Sequence, residues 1–137
     1  MSTTQPIRSK QLLHDFKEYF LTKQPNSRNY TLILIGLNTA LRINDILHLT
    51  WGDVYCTEHS RFYTHLLITE KKTEKETRIL INRELQETLL SYRKTQPSIA
   101  DTDYLFPSPR KADSPLSRYQ AYRIVRKAAE AVGIEDV

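Results

Sequence analysis

The stretch that most limits what this chain can fold into is "YTLILIGLNTA", Tyr30 to Ala40. Its apolar residues follow one another without the alternation of a half-buried strand or the one-sided spacing of a surface helix. Such a run is buried on every side, either as a strand inside a sheet or as a helix that is apolar all round. Its length, and the cap candidates Asn26 and Ser27 just after Pro25, favour the helix. No apolar run in the chain approaches the ~20 residues of a membrane span. The rest of the fold is therefore expected to wrap around this segment. The wider stretch from Leu32 to Trp51 is the most apolar part of the chain, and it carries one arginine, Arg42. A guanidinium buried without a partner is destabilising by several kcal/mol, so Arg42 is expected to have a partner or a task. The local partner is Asp45, three residues on in the short helix predicted for "INDILHL", although an ordinary pair at that spacing is worth only a few tenths of a kcal/mol.

The flanks read more simply. Ser9 is placed to cap a helix carrying Leu12, Phe16, Tyr19 and Phe20 at i, i+4, i+7 and i+8, and Pro25 breaks it. The helix at "INDILHL" is expected to stop near Trp51-Gly52-Asp53. "RFYTHLLIT" is rich in aromatic and β-branched residues, "EKKTEKE" is a charged turn and "TRILIN" a second strand, which predicts a hairpin over about residues 61–82. "NRELQETLLSYRK" places Leu85, Leu89 and Tyr92 at helical spacing behind Asn82 as cap. A proline-containing loop runs from Pro97 to Pro115, interrupted by the apolar "YLF" at Tyr104 to Phe106. Ser117 then opens a last helix. Projection at 3.6 residues per turn puts Ala121, Ile124, Val125, Ala128, Ala131 and Val132 on one arc and Arg118, Tyr119, Tyr122, Arg123, Arg126 and Lys127 on the other. The fold class that follows is α+β, mainly helical with a small antiparallel β-sheet.

Charge distribution says more than total charge. The net charge is +4, yet Leu105 to Ala128 alone holds Arg110, Lys111, Arg118, Arg123, Arg126 and Lys127 against Asp113. A solvated helix face accounts for such a cluster as readily as an anionic partner does. Tyrosines interleaved with the cations suit contact with phosphates, sugars or bases. The single Cys56 excludes an intrachain disulfide, suits a reducing cytoplasm, and reads as a packed residue rather than a nucleophile. The four histidines, His14, His48, His59 and His65, show no ligand spacing, and no metal or other cofactor is expected; His48 and His65 read as packing or surface residues. Residues 1–8 read as a polar arm, not a leader.

Four segments in order, "NTALRINDILHLTWGDV", "EKKTEKETRILI", "DYLFPS" and "SPLSRYQAYRIVRKAAEAVGI", resemble the catalytic domain of the tyrosine recombinases, the phage integrase family. The resemblance runs from about Leu12 to the C-terminus, so the division implied is an arm at 1–8 and a partial catalytic domain at 9–137. It implies a mainly helical integrase-type domain acting on double-stranded DNA, in the cytoplasm and encoded by a bacterium or phage. Family members break and rejoin DNA through a covalent 3′-phosphotyrosyl intermediate and assemble as tetramers on it. By the same resemblance Arg42 matches the first catalytic arginine, which contacts the scissile phosphate, and Asp45 the acidic residue supporting that site. Lys72 matches the hairpin lysine that protonates the leaving 5′ oxygen, with Lys71 a weaker occupant of that role. Lys71, Lys75, Arg118, Tyr119, Tyr122, Arg123, Arg126 and Lys127 are the expected DNA contacts. Ala40 stands where relatives often have glycine, and Asn44 where they often have serine.

A phosphodiester under attack gains charge on its nonbridging oxygens, which a fixed bidentate arginine stabilises better than a mobile lysine. A lysine among cations can act as a general acid once its pKa is lowered. The family also uses a His-x-x-Arg motif and a late tyrosine nucleophile. No His-x-x-Arg occurs in the chain, and none of its eight tyrosines matches the nucleophile's place. The expectation is a C-terminally truncated domain, monomeric or weakly associated, that holds DNA but does not cleave it alone. The alternative is a non-catalytic DNA-binding module of a mobile element; a helical interaction protein without nucleic acid is the third reading.

Overall fold

The computed structural model describes residues 10–69, 72–96, 98–111 and 113–134. The arm, the Ser9 cap and Lys71 lie outside them. Helix α1 spans Lys10–Glu18 and runs into a π-helical turn at Tyr19–Lys23. Helix α2, Ser27–Thr39, is the apolar run, and Asn26 caps it by accepting a hydrogen bond from the Asn29 amide at 3.0 Å. Leu32, Ile33, Leu34 and Ile35 are all buried, as an all-round apolar helix requires. They face two clusters. Leu32, Leu34 and Ile35 join the main core with Leu47, Trp51, Leu85, Leu89, Leu105 and Phe106. Ile33 joins Phe16, Phe20, Ala128 and Ala129, which clamps the first and last helices onto α2. Each such side chain contributes about 1.5–3 kcal/mol by leaving water. Thr31 and Thr39, also buried, donate their hydroxyls to the carbonyls of Ser27 and Ile35, both at 2.7 Å, so neither is left unpaired.

Helix α3, Ile43–Leu47, is followed by α4, Trp51–Val54. The helix expected to run from "INDILHL" to a stop near Trp51-Gly52-Asp53 ends earlier, at Leu47, and those three residues belong to a separate helical turn closed by a capping box between Thr50 and Asp53. The strand expected over residues 61–69 is two strands. β2, Arg61–Phe62, turns back on β1, Tyr55–Cys56, and after a break β3, His65–Thr69, pairs antiparallel with β4, Glu76–Leu80. The break falls where the Tyr63 amide bonds to the Val54 carbonyl at 2.8 Å instead of continuing a ladder. The hairpin is thus shorter than expected, and there are two small sheets.

Helix α5, Arg83–Lys94, buries Leu85, Leu89 and Tyr92 and is capped by Asn82 through the Leu85 amide at 2.9 Å, as its sequence predicts. The loop after it is pinned rather than free. Trp51 and Gly52 donate to the carbonyls of Asp103 and Asp101, and Leu105 donates to the carbonyl of Leu49. These bonds seat Leu105 and Phe106 in the core. Helix α6, Arg118–Ala131, begins with a Ser117–Gln120 capping box. Its predicted apolar arc needs one change: Ala131 is exposed, and Ala129 is buried against the first helix in its place. No helix among the described residues is long and apolar enough to cross a membrane.

Candidate nucleic-acid interface

Arg42 is not a buried charge. Helix α2 ends at Thr39, and Ala40 takes a left-handed conformation, φ 55° and ψ 21°. That reversal swings the chain out of the core, so Arg42 reaches the surface while Ile46 and Leu47 turn back in. Arg42 is the N-cap of α3, with extended backbone at φ −66° and ψ 147°. Its carbonyl accepts from the amides of Asp45 at 2.9 Å and Ile46 at 3.1 Å. Arg42 and Asp45 stand at the N-cap and third positions of α3, and that spacing by itself does not pair their side chains. Among the described residues no ion pair within 4 Å joins Arg42 to Asp45 or to any other carboxylate. Asp45, half-buried in the first turn of α3, faces the positive end of that short helix instead. His48, exposed at the far end of α3, has its Nδ1 2.7 Å from the Asn44 carbonyl and its ring edge-on to Tyr104.

Lys72 and Lys75 are exposed in the turn joining β3 to β4. The Lys75 amide donates to the Thr73 hydroxyl at 3.3 Å, and Glu74 is left-handed at φ 55°, which folds the tip tightly. The ladder pairs Thr69 with Glu76, so both lysines project beyond the last paired residues. Leu66 is buried in the main core, which anchors the hairpin to the domain.

On α6 the arc read from the sequence is the arc observed. Arg118, Tyr119, Tyr122, Arg123, Arg126 and Lys127 are all exposed. Tyr119 shows 70% of its surface and Tyr122 50%, far more than core tyrosines do. The cations use these rings as supports: Arg118 lies 6.0 Å from the Tyr122 centroid and Arg123 5.8 Å from that of Tyr119. Helix α3 packs against α6, so the element that carries Arg42 and the basic helix are neighbours.

One residue of this surface went unread in the sequence. Arg28, on the first turn of α2, lines an open groove of about 910 Å³ with Tyr119, Arg123, Arg126 and Lys127. Nothing in its own segment signals this, because the groove exists only where α2 and α6 meet. No cluster of three or more metal-binding side chains occurs among the described residues.

The mainly helical domain with two small antiparallel sheets is similar in fold to the recombinase catalytic domain. The chain belongs to the phage integrase family, whose model matches residues 5–137. It is similar to the "probable integrase/recombinase YoeC" of Bacillus subtilis (strain 168), at 42% identity over the whole chain and 69% of that protein. Among solved structures it resembles XerA recombinase, with a TM-score of 0.74 at 21% identity over 98% of this chain and 46% of that one. It also resembles the Tn1549 transposon integrase, solved in complex with circular intermediate DNA, with a TM-score of 0.60 at 20% identity over 96% of this chain and 47% of that one. At such identities these two likenesses bear on the fold alone. The chain spans less than half the length of either solved structure.

Proposed function

We propose that this chain is the phosphate-holding part of the catalytic domain of a site-specific DNA recombinase. The observation that carries the reading is Arg42: exposed, without an ion pair among the described residues, and held on a helix that packs against α6. An arginine presented in this way is available to a nonbridging oxygen of a phosphodiester, and its fork suits two of them. Asp45 supports it electrostatically from the same helix, and Lys72 is the general acid. When a tyrosine oxygen attacks phosphorus and the bond to the 5′ oxygen breaks, the proton on Lys72 goes to that oxygen. Lys71, Lys75 and the exposed face of α6 hold the duplex through phosphates, with Tyr119 and Tyr122 as flat supports. The Tn1549 relative is solved with DNA, which agrees with a double-stranded DNA partner.

The nucleophile is absent from the matched positions, so these 137 residues are inferred to bind DNA without cutting it, as a monomer or weak oligomer in the cytoplasm. A nicked suicide duplex tests this. Binding that weakens steeply with salt and leaves no covalent product is expected. A covalent adduct lost on mutating one of the chain's tyrosines refutes the inability to cleave, and affinity indifferent to salt refutes the DNA reading. The basic face of α6 also supports a second reading, a non-catalytic DNA-binding module. Arg42→Ala separates the two: a catalytic site loses affinity selectively for a duplex carrying its cleavage site, whereas a module that binds through α6 alone is unchanged.

A further inference from the structure

Arg28 differs from the exposed cations of α6 in being half-buried and fixed. Its Nε–H donates to the Asn29 side-chain oxygen at 3.0 Å, and Asn29 is itself buried and bonded through its amide to the Asn26 cap. Among the described residues the two Nη groups donate no hydrogen bond and have no carboxylate within 4 Å. The guanidinium is thus held by one edge with its fork left open.

Its position is also electrostatically unfavourable in the free protein. Arg28 sits in the first turn of a thirteen-residue helix that has no acidic residue there, at the positive end of the dipole. Across the groove stand Arg123, Arg126 and Lys127, and Glu130 is the one carboxylate among the lining side chains. Four cations and a helix N-terminus converging on one open space repel each other, and a bound anion relieves that repulsion. Tyr119 gives the groove an aromatic wall. The planar fork selects the oxygens of a phosphate over a spherical anion.

We propose that the groove between the start of α2 and α6 is a phosphate-binding site, with Arg28 as its fixed fork and Arg123, Arg126 and Lys127 as its mobile cations. The phosphate it takes is one in a nucleic-acid backbone, separate from the phosphate assigned to Arg42. That last assignment rests on the DNA-handling reading above; the site itself does not.

Two titrations of the full chain test it, one with inorganic phosphate followed by the Asn29 amide resonance, the other with duplex DNA at several salt concentrations. Expected are a saturable Asn29 shift with phosphate that Arg28→Gln abolishes, and a slope of log affinity against log salt reduced by about 0.9 in that variant, one contact's worth of counterion release. Arg28→Lys keeps the charge and should keep the slope while losing several-fold in phosphate affinity. If Arg28→Gln fails to fold, Arg28→Lys carries the test through its several-fold loss of phosphate affinity, read at the Asn29 amide. A wild-type chain that binds duplex with a slope unchanged in Arg28→Gln, or with a phosphate affinity unchanged in Arg28→Lys, overturns the proposal and leaves the DNA reading standing. If the wild-type chain shows no salt-dependent duplex affinity, the DNA reading fails; a saturable phosphate shift at Asn29 then still supports the site for a free phosphate, and no shift overturns it.

Discussion

Replacing Tyr92 with phenylalanine removes one oxygen from the centre of the fold. The Tyr92 ring is buried on α5 between Trp51, with centroids 5.5 Å apart, and Phe106, at 6.1 Å and nearly parallel. Its hydroxyl donates to the Leu105 carbonyl at 2.5 Å, and Leu105 is fully buried. Phenylalanine keeps the ring contacts and strands that carbonyl, a loss of about 1–3 kcal/mol for a buried acceptor left without its donor. With an unfolding entropy of about 2.1 cal/mol/K per residue over 137 residues, that is a fall in Tm of roughly 3–10 °C. The pH dependence gives a second, independent figure. Burial pushes the Tyr92 phenol from 10.0 up to about 12. Below pH 10 the phenol is neutral in both states, and the stabilisation is complete. Above pH 10 the unfolded chain releases the proton first, so stability falls by about 1.4 kcal/mol per pH unit until the folded phenol also ionises near 12. Urea unfolding of both proteins at pH 8 and pH 11 reads this directly. Wild type should exceed the phenylalanine variant by about 2 kcal/mol at pH 8, and the gap should narrow by about 1.3 kcal/mol at pH 11. A gap that is the same at both pH values refutes the burial argument, and a gap near zero at pH 8 refutes the hydrogen-bond argument.

Two further substitutions probe the turns that aim the candidate site. Ala40 is left-handed at φ 55°, a conformation that disfavours a side chain by about 1 kcal/mol, so Ala40→Gly should raise stability by roughly 0.5–1 kcal/mol in thermal unfolding. A decrease would mean that the α2–α3 turn is held by something other than that backbone angle. Gly52 is approached so closely by the Asp101 carbonyl that an added Cβ would lie 3.0 Å from that oxygen. Gly52→Ala should therefore destabilise the domain by about 1–3 kcal/mol in urea unfolding, as overpacking against backbone does; an unchanged midpoint would show that the loop from Ala100 to Asp103 can give way.

Much of this molecule was legible in the sequence because its signals are local. Asn82 and Ser117 cap the helices they precede, since a side-chain oxygen three residues before an amide needs no distant partner. The cationic arc of α6 was legible because helical periodicity alone decides which residues share a face. The apolar run lies at the centre over Leu32 to Ile35, whereas Leu37 nearer its end stays 44% exposed, which the sequence did not show. What needed the tertiary structure was every feature set by where the chain turns. The left-handed angle at Ala40 decides that Arg42 faces outward without Asp45 as its partner; the sequence showed only an arginine inside an apolar stretch. The bond from Tyr63 to Val54 splits one strand-like run into two, and pairs its first half with Tyr55–Cys56, which carried no strand signal of its own. Arg28 joins Arg123 and Arg126 in one groove although some ninety residues separate them. Capping and periodicity act within a turn of helix, whereas the direction of a chain after a turn, and the surfaces it brings together, depend on the packing of the whole domain.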